Sequence, residues 1–600
     1  MTVRIANCSG FLGDRRTGPR EMLEGGPVDY LTGDWLAELT MSILAKQRSR
    51  DPEAGFPTSF VDQISDVLAL CRERGVKIIA NAGGVNPGGC AAAVAAAAAE
   101  RGVEVRIAVV DGDDVVDRVE ALQADGWAAE HLDTGRPFAE TGLTPAVVNV
   151  YLGAWGIVEA LRAGADVVIT GRVSDASPIV AAAAAHHGWT PADLDQIAGG
   201  VVAGHLIECS AQVTGGNYSF FDEIERPEHP GFPIAEIEAD GSCVITKHAG
   251  TGGAVTRESV IAQLLYEING PDYANPDVLA RFDRLEVEQA GPDRVRVSGA
   301  FGEVVPASLK AGIVADHGWS AEMSVLITGD RRRAKADYCL RQLWAEFPRG
   351  RESFDDVVVN LIGEEVDNPA TLDQGTSILR IAVADADHAL VNRFPRALVE
   401  ILLGGFPGMA LTSPPNRARQ RQLFWPTLLD ARLVPERVTF EGRTWLVERT
   451  AEAAPAEQTP LPVVGTGAAT RGDDDNYASS VEHSELVSVP LGRIAGSRSG
   501  DKGGNATVGI WALTDEAYAF LTDWWTHENV AGLLPPEEYS GLRLWAIPSL
   551  RALGVTVTGW LGLGTASNVA LDTQAKGLGE FLRARHVQVP QAVLDSIDPL

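Results

Sequence analysis

In the first half of the chain, short β-rich apolar runs alternate with stretches whose apolar positions recur at helical spacing. Val3–Ile5 leads into a Gly/Asp loop, and Val28–Leu31 forms a second short run. The pattern over Phe60–Arg74 predicts one amphipathic helix. Val76–Ala80 predicts a strand, then a Gly/Asn loop and an alanine-rich helix. Val103–Val110 predicts another strand, ending in Asp111-Gly112-Asp113. Val147–Ala163 reads as helix and Asp166–Thr170 as strand. Strand, glycine loop and helix in repetition predict βαβ units around a mainly parallel sheet. In such sheets ligands bind beyond the carboxyl ends of the strands, so the loops after strands are the ones to search.

From about Ile234 the pattern changes to short strands at Val244–Thr246, Leu285–Glu288, Val295–Gly299 and Val325–Thr328, which reads as an α+β extension packed on the first sheet. Lys335–Phe347 returns to helix, and Val357–Leu361 and Ser377–Ala384 add apolar runs. Thr450–Ser480 is rich in Pro, Gly and acidic residues and too poor in apolar ones to build a core, so it reads as a linker. Beyond it, strands at Ser488–Pro490, Ala506–Ala512, Leu542–Ile547 and Thr556–Trp560 interleave with helices at Asp515–Thr526, Asn529–Leu533 and Thr573–Arg585, a small α/β domain. The expected organisation is a large α/β core over 1–450, a linker over 451–483 and a compact domain over 484–600.

Bulk properties narrow the partners. Among 600 residues, 45% are apolar and 22% charged, an ordinary globular balance. The net charge of −31 repels phosphate backbones and anionic lipid, so nucleic acid and membrane surfaces are poor partner guesses. An anionic small ligand stays open, because local backbone N–H groups can bind it on an acidic protein. Six scattered cysteines, with no CxxC, suit a reducing compartment. The opening residues lack a basic segment followed by a long apolar one, and the expected location is cytoplasmic.

Several loops carry candidate chemistry. Asn81, Gly83, Gly84, Asn86, Gly88 and Gly89 lie between a strand and a helix start, where N–H groups attract anions and glycine permits close approach. The same loop could simply be a tight βα turn started by Asn86 and Pro87. It matches neither a P-loop nor G-x-G-x-x-G, so neither ATP nor NAD is indicated. After Thr170, Arg172 could clamp a carboxylate or phosphate, and Asp175 could act as base, ribose acceptor or metal ligand; alternatively the two fix the turn. His205, Glu208 and Gln212 share one face if helical, and His205 or Glu208 could transfer protons, with Cys209 a weaker nucleophile candidate. Packing roles are the alternative. Lys247, His248 and Gly252 follow a strand and combine an anion site with a proton carrier, or form a polar hairpin. Asp34 and Glu38 could make an acid/base pair or hard-metal site, or a helix start with a solvated carboxylate. In the tail, Arg498, Ser499, Asp501 and Lys502 sit in a glycine-rich stretch that reads as an anion nest or a charged turn. There is no HExxH, paired CxxC or G-x-S-x-G, so neither a zinc enzyme nor a serine hydrolase of the usual type is expected, and no metal site is assigned.

Taken together, GDWLAE, NAGGVNP, GRVSDAS, GHLIECSAQVTGG and the tail's GSRSGDKGGNATVGI and LDTQAKGLGEFL resemble the AtuA family of acyclic terpene utilisation, over nearly the whole chain. The resemblance implies an AtuA core domain followed by a ferredoxin-like C-terminal domain. It also implies a place in the catabolism of citronellol, geraniol and related branched acids as CoA thioesters, beside carboxylases, hydratases and dehydrogenases. On that basis the expected activity is that of a lyase, hydratase or acyl transferase on an acyl-CoA; the alternative is a non-catalytic acyl-CoA-binding scaffold for pathway enzymes. CoA enters as part of the substrate, with no tightly bound cofactor. A homo-oligomer is the base-rate expectation.

Overall fold

The computed structural model describes residues 2–305, 307–447, 485–535 and 539–597; the segment read as a linker lies outside them, as does the side chain of Glu38. An eleven-stranded sheet organises the N-terminal region. Its centre is five parallel strands in the spatial order Val3–Asn7, Tyr30–Gly33, Lys77–Ala80, Val167–Thr170, Ile107–Asp111. The antiparallel strand Pro233–Ile237 extends one side, and Arg437–Phe440 the other. The parallel strands are apolar on both faces, as a sheet covered twice must be. In Lys77–Ala80, Ile79 enters the core beneath the helices Trp155–Ala163, Ser177–His187 and Leu194–Ile207. Its neighbours Ile78 and Ala80 enter the opposite core, beneath Thr58–Ser65, Leu68–Arg74 and Pro87–Glu100. That alternation is the two-residue period of a strand.

Three expected elements are divided differently. Phe60–Arg74 is two helices, broken at Val67, whose φ of −122° leaves the helical region while its side chain stays buried. Val147–Ala163 is a strand, Pro145–Val150, followed by the helix Trp155–Ala163. The β-branched Val147, Val148 and Val150 favour the strand. Gly153 separates the two elements, where a Cβ would stand 2.3 Å from the Asp277 carboxylate. The glycine-rich Gly496–Gly504 stretch, expected as a loop, is mostly strand: Ala495–Lys502 pairs along its length with Asn505–Ala512. Its Gly and Ser residues serve packing, since Cβ atoms on Gly496 and Gly500 would meet the rings of Trp511 and Tyr266 at 2.2 and 2.5 Å.

A second sheet is built on one strand of 21 residues, Ser308–Thr328. Its first half pairs with Pro145–Val150 and buries Leu309, Ala311 and Ile313 in the main core. Its second half pairs with Thr376–Asp385 and carries a separate core under the helices Arg332–Ala345 and His388–Glu400. The C-terminal region is an antiparallel sheet in the order Ala495–Lys502, Asn505–Ala512, Ala552–Thr558, Gly541–Ile547. One face packs on its own helices, including Asp515–Trp524 and Leu578–Ala584. The other lies against the N-terminal region, with Trp511 and Trp545 joining the main core. All six cysteines are free. Among the described residues no helix is long and apolar enough to cross a membrane.

Candidate functional site

The carboxyl ends of the parallel strands converge on a group of ionisable side chains. After Tyr30–Gly33 comes Asp34, whose carboxylate accepts from Asn81 Nδ2 at 2.6 Å and from the Leu36 N–H at 2.8 Å. Asn81, just past Lys77–Ala80, is buried and accepts the Trp35 N–H at 2.8 Å. Asp113, past Ile107–Asp111, accepts from the Arg172 N–H at 2.8 Å and from Asn149 Nδ2 at 2.7 Å. Position 171 must be glycine here, because a Cβ would lie 2.1 Å from the Asp113 carboxylate. Arg172, past Val167–Thr170, pairs with Asp175 at 2.6 Å. Its guanidinium stacks on Tyr151 at 4.3 Å, and Lys310, from the long strand, covers the same ring at 4.6 Å.

The helix Leu194–Ile207 delivers the next two groups. Gly204 lets it approach Ala176 so closely that a Cβ would stand 2.7 Å from the Ala176 Cα. His205 occupies its last turn and Glu208 follows it, with Nδ1 and Oε1 3.6 Å apart. His205 packs beside Tyr273 at 5.0 Å and Phe282 at 5.7 Å. Neither imidazole nitrogen nor Glu208 Oε2 has a hydrogen-bond partner among the described residues, although all three atoms are buried. Buried polar atoms are nearly always satisfied, so three such atoms from two adjacent side chains make this group a candidate for contact with a ligand or water.

The electrostatics follow from burial and crowding. Burial, then the charge of Asp175, pushes the Asp34 carboxyl up to about 7 against the pull of Arg172 and Asn81. Burial also lifts Asp113 to about 7. Glu208 is raised well above the carboxylate range by burial and by Asp175, Asp34 and Glu267, so it holds its proton near neutrality. His205 is lowered to about 4 by burial and by Lys502, which keeps the ring neutral. Asp175 differs. Burial would raise it, but Arg172, Lys310 and Lys502 outweigh that and hold it ionised. One acid that keeps its proton therefore sits beside one that titrates near neutral pH, the separation that acid–base catalysis uses.

Lys502 belongs to the C-terminal region, so the site draws on both parts of the chain. It ends the strand Ala495–Lys502, its Nζ 5.7 Å from the Tyr273 ring centre. Nearby, Arg498 donates to the Asn217 carbonyl at 3.3 Å and to Gln212, and stacks on Tyr266 at 4.3 Å. Ser499 donates to the Lys576 carbonyl at 3.1 Å, and Asp501 accepts from Thr565 at 3.0 Å. Arg498 thus ties the two parts together, Ser499 bonds within the C-terminal region, and Lys502 reaches the ionisable group.

The remaining candidates serve the scaffold or lie apart. Asn86 caps the helix Pro87–Glu100 by accepting the Gly89 N–H at 3.0 Å. Gly88 is the second residue of that helix and has open space where a Cβ would stand. Gly83 and Gly84 are required by close backbone: Cβ atoms would lie 2.5 Å from the Thr170 and Gly55 carbonyls. Of that loop, Asn81 alone is bonded into the ionisable group. Lys247 pairs with Asp293 at 2.9 Å, and Gly252 sits where a Cβ would meet the Glu228 carbonyl at 2.0 Å. His248 bonds the Met22 carbonyl at 2.8 Å and packs on Gly25, away from His205 and Glu208. Asp113, Tyr151, Tyr273 and Lys310 were not singled out from the sequence. Asp113 had a signal, an acidic residue just past a strand end. Lys310 had none, because a different sheet brings it in.

The fold and site define an α/β protein whose polar centre sits at the carboxyl edge of a parallel sheet and is completed by a C-terminal domain. The family model described as acyclic terpene utilisation family protein AtuA matches residues 3–440, and the AtuA ferredoxin-like domain matches residues 489–588. The chain belongs to the AtuA family, which implies a role in acyclic terpene utilisation. Comparison with the curated proteins yields no match.

Proposed function

We propose that this protein is an enzyme that acts on a branched acid, as its acyl-CoA thioester, by general acid–base catalysis of the lyase, hydratase or acyl-transfer type. The observation that carries the reading is the grouping of a half-buried Asp34, raised to about 7, with a buried Glu208 whose carboxyl feels its charge and keeps its proton. In this mechanism Asp34 removes a proton, Glu208 supplies one, and neutral His205 relays between them or orients the substrate. Arg172, Lys310 and Lys502 stabilise the negative charge that develops on the carbonyl oxygen. The Tyr273 ring, beside His205, supplies an apolar wall for a branched chain. The inward-facing sheet of the C-terminal domain supports this reading over a scaffold that docks pathway enzymes, since the face meeting the N-terminal region is already covered.

Thermal unfolding against free CoA, branched acyl-CoAs, the free acids and divalent metals tests this directly. A ligand at 100 times its dissociation constant stabilises by about 2.7 kcal/mol, a readily measured shift in midpoint. Stabilisation by a branched acyl-CoA, followed by its turnover, is the expected result. Binding without turnover of any thioester would instead support the accessory-subunit alternative.

A further inference from the structure

The second sheet holds a cavity of about 280 Å³ lined by Arg332, Arg333, Gly363, Glu364, Glu365 and Ser377. None of these residues belongs to the ionisable group at the rim. The cavity lies at the start of the 14-residue helix Arg332–Ala345, against the connection between the strands Asp356–Ile362 and Thr376–Asp385. A helix of this length presents unpaired N–H groups and a partial positive charge at that end. Arg331, at the cap position, supplies no side-chain bond to them. The second feature is Arg332 itself, whose surface is 1% exposed. Nη1 donates to the Gln374 carbonyl at 2.9 Å and Nη2 to the Glu364 carbonyl. The buried Nε–H has no hydrogen-bond partner among the described residues. Both bonded partners are carbonyls, which leave the guanidinium charge without a counter-ion in a place where a buried charge normally has one. Two glutamates also line the cavity, and both are exposed. Glu364 turns its carbonyl to Arg332, and Glu365 Oε1 accepts the Arg333 N–H at 3.3 Å, longer than the usual range. A weakly held, solvated carboxylate thus stands where a helix N-terminus takes an anion. Exposed side chains of this kind change rotamer freely, whereas Arg332 is fixed by two carbonyls.

We propose that this cavity is a second binding site, for a small oxyanion of the phosphate class, which displaces Glu365 from the helix N-terminus and neutralises Arg332. A tetrahedral oxyanion accepts from a guanidinium and from backbone N–H groups at once, and it carries more charge than the carboxylate it replaces. Arg333, exposed on the same lining, supplies a second cation. The volume is below the ~300–1,000 Å³ of sites for drug-sized ligands, so it suits a free ion or a small phosphomonoester. Glu364, Glu365 and Gln374 all belong to the 363–375 connection, so occupancy ties that connection to the helix. The inference is independent of the acid–base reading, because these residues border the separate core of the second sheet.

The test is calorimetric titration of the full chain with inorganic phosphate and glycerol 3-phosphate, against sodium chloride at matched ionic strength, on wild type, Arg332→Met, Arg333→Met and Glu365→Gln. Saturable binding of phosphate or its ester to wild type is expected, and the tighter of the two identifies the source. Arg332→Met should weaken it by about tenfold, the loss of one charge-assisted hydrogen bond. Arg333→Met should weaken it less. Glu365→Gln should tighten it several-fold, since the competing carboxylate is gone. Arg332→Met also removes two loop bonds; should it fail to fold, the variants at the exposed positions 333 and 365 carry the test. Hydrogen exchange locates the anion: phosphate should slow exchange over 363–375 and the first turn of the helix. The site is overturned if neither anion binds wild type or Glu365→Gln more tightly than chloride, if Glu365→Gln weakens binding, or if exchange slows at the rim and not over 363–375.

Discussion

The rim of the parallel sheet and the sheet built on the second half of Ser308–Thr328 make opposite use of charge. In the second, Phe354, Phe394, Val325 and Ile381 fill the core, the buried Arg332 is bonded to the Gln374 and Glu364 carbonyls, and arginines such as Arg393 pair with glutamates at the solvent edge. At the rim, Asp113 and Glu208 are enclosed and Asp34 is half-buried, all three are shifted upward, and His205 is held neutral. Enclosing carboxyl groups opposes stability unless each is bonded or neutralised. That half of the second sheet with its two helices, an insertion with its own core, follows the rule for a stable core. The rim departs from it in one place, and such departures concentrate where chemistry is done. The comparison therefore predicts that substitutions in the two regions fail in different ways.

The largest contrast is in activity. Asp34→Asn and Glu208→Gln are expected to lower turnover by about 10²- to 10⁴-fold, the range for loss of a positioned proton-transfer group. The folded protein should persist, because both changes remove a carboxyl that burial disfavours. The pH dependence sharpens this. As a base, Asp34 must be ionised, so kcat/KM should rise as pH increases through about 7. Its contribution to stability has the opposite sense. A folded-state value above the unfolded one means that proton binding stabilises the fold below about pH 4, and that this is lost as pH rises towards 7. Asp34→Asn should flatten that part of the Tm–pH curve. A variant with full turnover and an unchanged curve would remove Asp34 from the mechanism.

In the insertion, Phe394→Ala is the matching experiment. Phe394 is fully buried, with its ring centre 6.3 Å from that of Phe354. Its truncation should cost about 3–5 kcal/mol of stability. Turnover per folded molecule, measured well below the midpoint, should stay near wild type. A kcat loss as large as that of Asp34→Asn would mean that the two regions are coupled.

Much of the rim was legible because its residues follow strands in sequence. Asn81, Arg172 and Asp175 lie in loops that the strand–loop–helix rhythm marks, and His205 and Glu208 meet through helical spacing alone. What was not legible depends on topology. Lys310 and Tyr273 arrive from strands of other sheets. The GSRSGDKGG stretch misled because glycine and serine were read as turn formers. Their smallness instead lets a strand be buried on both faces, and only its last residue, Lys502, reaches the site. Val147–Ala163 hid a boundary that a β-branched run followed by Gly153 could have signalled. His248 carried the right chemistry in the right kind of loop, but its ring serves as packing against Gly25.

The finest test of the comparison sets one ion pair from each region against the other. Arg393 lies 2.7 Å from Glu400, with 37% and 57% of their side-chain surfaces exposed. Arg172 lies 2.6 Å from Asp175, with 5% and 35% of their side-chain surfaces exposed. By distance alone the pairs are equivalent. Water reaches both partners of the first pair but only the carboxylate of the second, so Arg393→Ala should change stability by about 0–1 kcal/mol and leave turnover alone. Arg172→Ala removes the buried cation from a half-buried Asp175 and should cost about 1–3 kcal/mol. It should also move the pH profile, because Asp34 loses the cation that opposes its upward shift and its pKa rises further. Chemical denaturation of both variants, with their pH–rate profiles, decides the matter. Equal stability losses, or an Arg172→Ala profile superimposable on wild type, would show that enclosure of the rim carries no special electrostatic weight.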